Sequence, residues 1–161
     1  MMVACNGRPD GGVGKTEISG VVFVSGPVEG ARVQAFELSE NGDFGKELAS
    51  DESTDRDGNF QLDIGAYSGL VVIQASGVGA RWEEPATGAS AQFQKDTILR
   101  SAPAFMQDGT VRVGAEFNRS ESLVVGPVSE LAVSYALARF EERGGDLQAT
   151  FDESFRLFQE H

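Results

Sequence analysis

The residues of this chain best equipped for chemistry fall in four short stretches. Asp10-Gly11-Gly12-Val13-Gly14-Lys15-Thr16 contains the Gly-Gly-Val-Gly-Lys-Thr core of a phosphate-binding loop. In such a loop backbone N–H groups cradle phosphates, while Lys15 and Thr16 would serve the terminal phosphate and magnesium of a nucleotide hydrolase. That chemistry needs a buried strand before the loop and a helix after it, so that the helix N-terminus faces the phosphates. Here Pro9 stands where the first Gly of the motif belongs. The next stretch, Ile18-Ser19-Gly20-Val21-Val22-Phe23-Val24, is β-branched and reads as strand. A glycine-rich tether is the better reading, and the hydrolase is a remote alternative.

Ser53-Thr54-Asp55-Arg56-Asp57-Gly58-Asn59-Phe60 places oxygen ligands at alternate positions before a Gly, which is half of a calcium loop. Counting from Ser53, the twelfth position is Ile64, where a bidentate Glu is required. Asp57-Gly58 is better read as a hairpin turn, with Asp55 and Asp57 as weak candidates for a cation. Arg81-Trp82-Glu83-Glu84-Pro85 sets the only Trp beside two carboxylates in a loop. Trp82, Glu83 and Glu84 could contact a sugar or a cation. The competing reading is a Trp that plugs one end of a fold while the acids stand in water. Met2-Val3-Ala4-Cys5 puts a small residue before the lone Cys near the N-terminus, ahead of a Gly-rich stretch. That is the arrangement of a lipid-attachment Cys in a bacterial lipoprotein, although four residues cannot form the apolar region of a signal peptide. The alternative is a stray Cys in a tail.

Composition narrows these options. Thirteen basic against twenty-five acidic residues give a net charge of −12, which opposes a nucleic-acid surface built on basic patches. One Cys and one His, at position 161, remove most metal sites and any nucleophile triad that needs an internal imidazole. No cofactor is implied. No run of eighteen apolar residues exists to span a membrane as a helix.

The elements that must position these residues read as mainly β. Residues 1–16 form a flexible lead-in, and a β-sandwich is expected over 17–115. Seven strands are expected, at 18–24, 31–38, 47–54, 59–64, 70–76, 91–93 extending toward 99, and 110–113. Phe60, Leu62 and Ile64 alternate with polar residues, so this strand has a wet face. The apolar phase of 31–38 jumps from Ala35 to Phe36, which predicts a bulge near Ala35. Leu70-Val71-Val72-Ile73 has no alternation and predicts a strand buried on both faces, with a helix as one cover. A helical segment is expected over 126–161. Its first helix opens at Pro127, carries a stripe of Val128, Leu131, Ala132, Tyr135, Ala136 and Ala138, broadened by Val133, Leu137 and Phe140, and ends at Gly144-Gly145. The second carries Leu147, Phe151, Phe155 and Phe158 on one face, with Thr150 and Glu153 spaced as a capping box. Its apolar face stops abruptly at Gln159-Glu160-His161, which reads as the N-terminal piece of a longer protein whose aromatic stripe lacks a partner here.

Three stretches together carry a resemblance: Ile18-Ser19-Gly20-Val21-Val22, Pro27-Val28-Glu29-Gly30-Ala31-Arg32-Val33, and Thr54-Asp55-Arg56-Asp57-Gly58-Asn59-Phe60. They resemble the carboxypeptidase regulatory-like domain, over roughly residues 17 to 101. The segments at Trp82–Gly88 and Gly126–Ala132 are similar to those that come after this domain in surface lipoproteins of some Gram-negative bacteria. The resemblance implies a seven-stranded antiparallel β-sandwich of the transthyretin-like, Ig-like kind without catalytic residues of its own, here succeeded by two C-terminal α-helices.

The reading that results is a non-enzymatic, extracytoplasmic binding or spacer module of a cell-envelope lipoprotein. It is lipid-anchored through Cys5, in the periplasm or at the surface, with an unknown protein or glycan as its partner and no nucleic acid. The rival is a glycan-binding or calcium-assisted adhesin working through Trp82 and the acidic face.

Overall fold

Alternating burial along the strands divides this chain between two main sheets that share one core. The computed structural model describes residues 17–67, 69–107, 110–112 and 123–159. They form β1 (Glu17–Val22), β2 (Arg32–Leu38), β3 (Phe44–Asp51), β4 (Asn59–Asp63), β5 (Gly69–Ser76), β6 (Arg81–Glu83), β7 (Ser90–Gln92), β8 (Leu99–Gln107), β9 (Thr110–Arg112), β10 (Leu123–Val125), α1 (Pro127–Arg143) and α2 (Leu147–Gln159). The chain is thus mainly β with two C-terminal helices. One sheet has the order β10-β1-β4, a second β3-β2-β5-β8-β9, and β6 and β7 form a small third. Among the described strands only the β1–β10 pairing is parallel. The lead-in with Cys5, Lys15 and Thr16 lies outside the described residues, as do residues 113–122.

Ile18, Val22, Phe60 and Leu62 from the first sheet meet Val33, Ala35, Val71, Ile73 and Ala75 from the second in one buried cluster. β4 alternates as its sequence requires, with Phe60 and Leu62 buried between exposed polar residues. At Gly20 β1 has room for no side chain: a Cβ there would lie 2.2 Å from the Leu123 carbonyl oxygen and 2.6 Å from the Phe60 ring. Glycine is therefore what lets Phe60 cross β1 while β10 pairs beside it.

The unalternated strand is buried on both faces, because the helices cover the outer one. Val71, Ile73 and Ala75 point into the intersheet core, whereas Leu70 and Val72 join Leu38, Ala132, Val133, Ala136, Leu147, Phe151 and Phe155 in a second cluster. The bulge expected near Ala35 lies in the neighbouring strand instead: β2 keeps unbroken register with β5 from Arg32 to Leu38, while the shifts against β3 at Ala35/Phe36 and Phe36/Leu38 place the extra residues in β3. Regular alternation turns Val33 and Ala35 to the intersheet core and Leu38 to the opposite face, where it meets the helices.

Several expectations are corrected. Ten strands are present among the described residues where seven were expected. The third begins at Phe44 and ends at Asp51, and Thr54 is buried beyond its end, outside any strand. The expected strand from 91 toward 99 is two strands of different sheets, β7 and β8, joined through a turn at 95–96. β8 contains Pro103, which has no N–H for a ladder; there Ala102 and Pro103 oppose the single residue Val72 in a bulge. β10 lies beyond 115 yet belongs to the first sheet, so a strict division at that point omits one of its strands.

The helices also differ from their expected faces. The buried side of α1 is Ser129, Ala132, Val133 and Ala136, while Val128, Leu131 and Tyr135 of the expected stripe are exposed. Small residues on that side let α1 lie close over β8, where the Ser129 hydroxyl accepts the Gly126 N–H at 2.9 Å and donates to the Arg100 carbonyl at 2.7 Å. α1 ends before Gly144, at φ +64°, as expected. α2 is capped by Asp146, whose Oδ1 accepts the Ala149 N–H at 2.9 Å, and not by a box from Thr150. Thr150 lies within the helix and returns its hydroxyl to the Asp146 carbonyl, while Glu153 pairs with Arg139 of α1. The aromatic stripe does have a partner within the chain: Phe151 and Phe155 are buried against α1 and the second sheet.

Candidate functional site

Three connections converge at one end of the two main sheets and enclose an open cleft of about 630 Å³. They are the β1–β2 connection, the turn between β3 and β4, and the β6–β7 hairpin. The cleft is lined by Pro27, Glu29, Arg56, Asp57, Arg81, Trp82, Glu83, Gly88 and Ser90.

The turn at Asp55–Gly58 is built by its own side chains. Asp55 Oδ1 accepts the N–H groups of Asp57 at 2.9 Å and Asn59 at 2.8 Å, and Oδ2 accepts Asn59 Nδ2 at 3.0 Å. The Asn59 side chain and backbone, then the Asp57 backbone, hold the Asp55 carboxyl below its ordinary range. Gly58 takes φ +78°, and a Cβ there would stand 2.6 Å from the Val22 carbonyl oxygen. Just before the turn, buried Thr54 donates its hydroxyl to the Val28 carbonyl at 2.6 Å and accepts the Ala31 N–H at 2.9 Å. The turn is not a hairpin, however. β3 and β4 lie in different sheets, so it carries the chain from one sheet to the other.

Trp82 is on strand β6 and not in a loop. Arg81 exchanges two backbone hydrogen bonds with Glu29, 2.8 and 2.9 Å, which anchors β6 to the β1–β2 connection. Its side chain then grips Glu29 Oε2 through Nε at 3.1 Å and Nη2 at 3.0 Å. Trp82 is half-buried, donates Nε1–H to Ser25 Oγ at 3.1 Å, and meets the fully buried Phe93 edge-on at 5.8 Å. Trp82 thus packs against the end of the intersheet core and is also among the residues that line the cleft.

The fold brings Trp82 and Glu83 beside Asp57, residues well separated in sequence. It sets Glu84 and Asp55 outside the cleft lining. Glu84 opens the hairpin turn, its carbonyl accepting the N–H groups of Thr87 and Gly88, and Asp55 is committed to its own turn. Among the described residues no three His, Cys, Asp or Glu side chains converge to hold a metal ion. Sequence reasoning passed over Glu29, Arg56 and Arg81 as site residues. Their signal was weak: Arg56 and Arg81 sit inside the singled-out stretches, but only the Glu29–Arg81 bridge, 52 residues apart, makes them neighbours.

No family model, curated protein or solved structure matches this chain.

Arg56, Asp57 and Glu83 have no side-chain hydrogen bond or ion pair with another described residue, so the cleft presents unengaged donors and acceptors around a fixed aromatic wall. The phosphate-loop motif itself lies outside the described residues, but it leads into strand β1, where a true phosphate-binding loop leads into a helix. Two other cavities differ in character. One of about 470 Å³ lies between Glu40, Tyr67, Leu70 and the start of α2, and one of about 330 Å³ is walled by Phe23, Val124, Val128, Phe155 and Phe158.

Proposed function

We propose that this chain is a non-enzymatic binding module of a cell-envelope lipoprotein, a transthyretin-like β-sandwich with a helical cover, tethered through Cys5. The observation that carries the binding reading is the Trp82 cleft. Its aromatic wall is held by Ser25 and Phe93, and unengaged charged groups come from separate connections. A pure spacer has no need of such a surface. The lipid anchor is supported by Ala4-Cys5 and by the Gly-rich stretch ahead of β1. Acyl chains contribute about 0.8 kcal/mol per buried CH₂, enough for several chains to hold an acidic domain at a membrane.

Two measurements test the two halves. Expressed behind a lipoprotein signal, the parent should fractionate with membranes and Cys5→Ser should be released; equal retention of both refutes the anchor. The non-acylated chain should co-sediment with purified envelope fragments and lose most of that retention in the double variant Arg56→Ala, Asp57→Ala. Retention unaffected by that variant removes the cleft as the binding surface.

A second reading, the glycan-binding adhesin, is favoured by the position of Trp82 in the cleft. Its calcium-assisted form is disfavoured by the hydrogen bonds that engage both oxygens of Asp55.

A further inference from the structure

We infer that the Trp82 cleft takes an uncharged, hydroxyl-rich saccharide chain, an inference that rests on reading this cleft as the binding surface. The first ground is charge. The chain carries −12 overall, yet the cleft lining interleaves the guanidiniums of Arg56 and Arg81 with the carboxylates of Glu29, Asp57 and Glu83. An anionic ligand would meet three carboxylates and a cationic one two guanidiniums, so neither sign is selected.

The second ground is hydrogen-bonding capacity. Arg81 engages Glu29 through Nε and Nη2 on the single oxygen Oε2, which leaves Nη1 and Oε1 available. With Arg56, Asp57 and Glu83 also unengaged, donor-only and acceptor-only groups stand side by side. A hydroxyl both donates and accepts, so neighbouring hydroxyls of a sugar ring can bridge a guanidinium and a carboxylate together. An apolar ligand would instead strip water from these groups without replacing its hydrogen bonds, at a cost for each.

The third ground is the wall. Trp82 lines the cleft, and its N–H is already bound to Ser25, so the indole brings no free donor there. The Phe93 contact fixes the ring before any ligand arrives. A rigid aromatic surface beside paired polar groups suits a sugar, which has a C–H face and a rim of hydroxyls. The open form of the cleft suits a chain laid across it.

Trp82 is the only Trp, so intrinsic fluorescence reports on the cleft directly. The chain is titrated with short neutral oligosaccharides of gluco, manno, xylo and galacto configuration. Oligogalacturonate and chitosan oligomers serve as the charged set. The expected result is a saturable change in Trp82 emission with at least one neutral oligosaccharide, insensitive to salt. Its affinity should fall at least about tenfold in Arg56→Ala and in Asp57→Ala, both with an unchanged melting temperature. Calorimetry on Trp82→Phe should show binding retained but weakened, which separates ring loss from unfolding. Binding confined to the charged set, weakened by salt, overturns the ligand class while leaving a binding cleft in place. No response to any neutral oligosaccharide also overturns it, whereas the envelope co-sedimentation judges the binding module independently.

Discussion

The helical cover of the second sheet and the Trp82 end of the molecule are held by different physics. The cover is apolar: Leu38, Leu70 and Val72 lie under Ala132, Val133, Ala136, Phe151 and Phe155, all buried. The Trp82 end is held by a half-buried ring, backbone bridges and an exposed ion pair, with Arg81 65% and Glu29 41% exposed. Residues of the cover are determined by packing, and substituting them should change stability. The charged residues of the cleft are nearly free of that duty, and substituting them should change recognition while leaving the fold intact.

The largest effect is expected from Phe151→Ala. Truncating a fully buried aromatic at the junction of both helices and the sheet should cost about 3–5 kcal/mol, measured by chemical denaturation. A loss under about 1 kcal/mol would mean that the cover is not part of the cooperative fold.

Next comes Glu130, the polar link between cover and sheet. Its carboxylate accepts Arg100 N–H at 2.8 Å and Arg100 Nε–H at 2.9 Å, and also the Ser134 hydroxyl. Burial acts to raise the Glu130 carboxyl, but Arg100 and Ser134 outweigh it and hold it below its ordinary range. A carboxyl depressed in the fold contributes stability that is present above the unfolded pKa and lost as pH falls through the folded one. Glu130→Gln should therefore cost about 1–2 kcal/mol at neutral pH. The difference from the parent should shrink as the pH drops below the usual carboxylate range. A difference that stays constant over that range would assign the loss to packing instead of charge.

The smallest stability effect belongs to the cleft. Arg81→Ala removes a surface ion pair worth about 0–1 kcal/mol, so its melting temperature should stay near that of the parent. A marked drop would make the Arg81–Glu29 pair a structural clasp and blur the contrast between the two regions.

How far the sequence foretells this arrangement depends on whether local pattern and tertiary role coincide. In β4 and β5 they do, since alternation or its absence directly reports which faces are buried. In β8 they conflict, because Pro103 marks the strand as interrupted while the sheet absorbs it in a bulge. β10 is three residues long and finds its partner β1 about a hundred residues earlier, so nothing local announces it. The α1 stripe misleads because α1 presents small residues to the sheet and leaves larger ones, Val128, Leu131 and Tyr135, on its outer side. The site was half legible: Trp82, Glu83 and Asp57 were visible as unusual residues. Their meeting in one cleft required the Glu29–Arg81 bridge and the sheet-to-sheet turn, neither of which has a local signal.

The central claim is that recognition resides at the Trp82 end and the helical cover only packs. It is tested most directly by NMR of the isotope-labelled chain titrated with the neutral oligosaccharides. The amides of Glu29, Arg56, Asp57, Trp82, Gly88 and Ser90 should shift in a saturable manner, with α1 and α2 unmoved. Shifts centred instead on Phe23, Val124, Val128 and Phe155 would place recognition at the helix–sheet seam and contradict the claim.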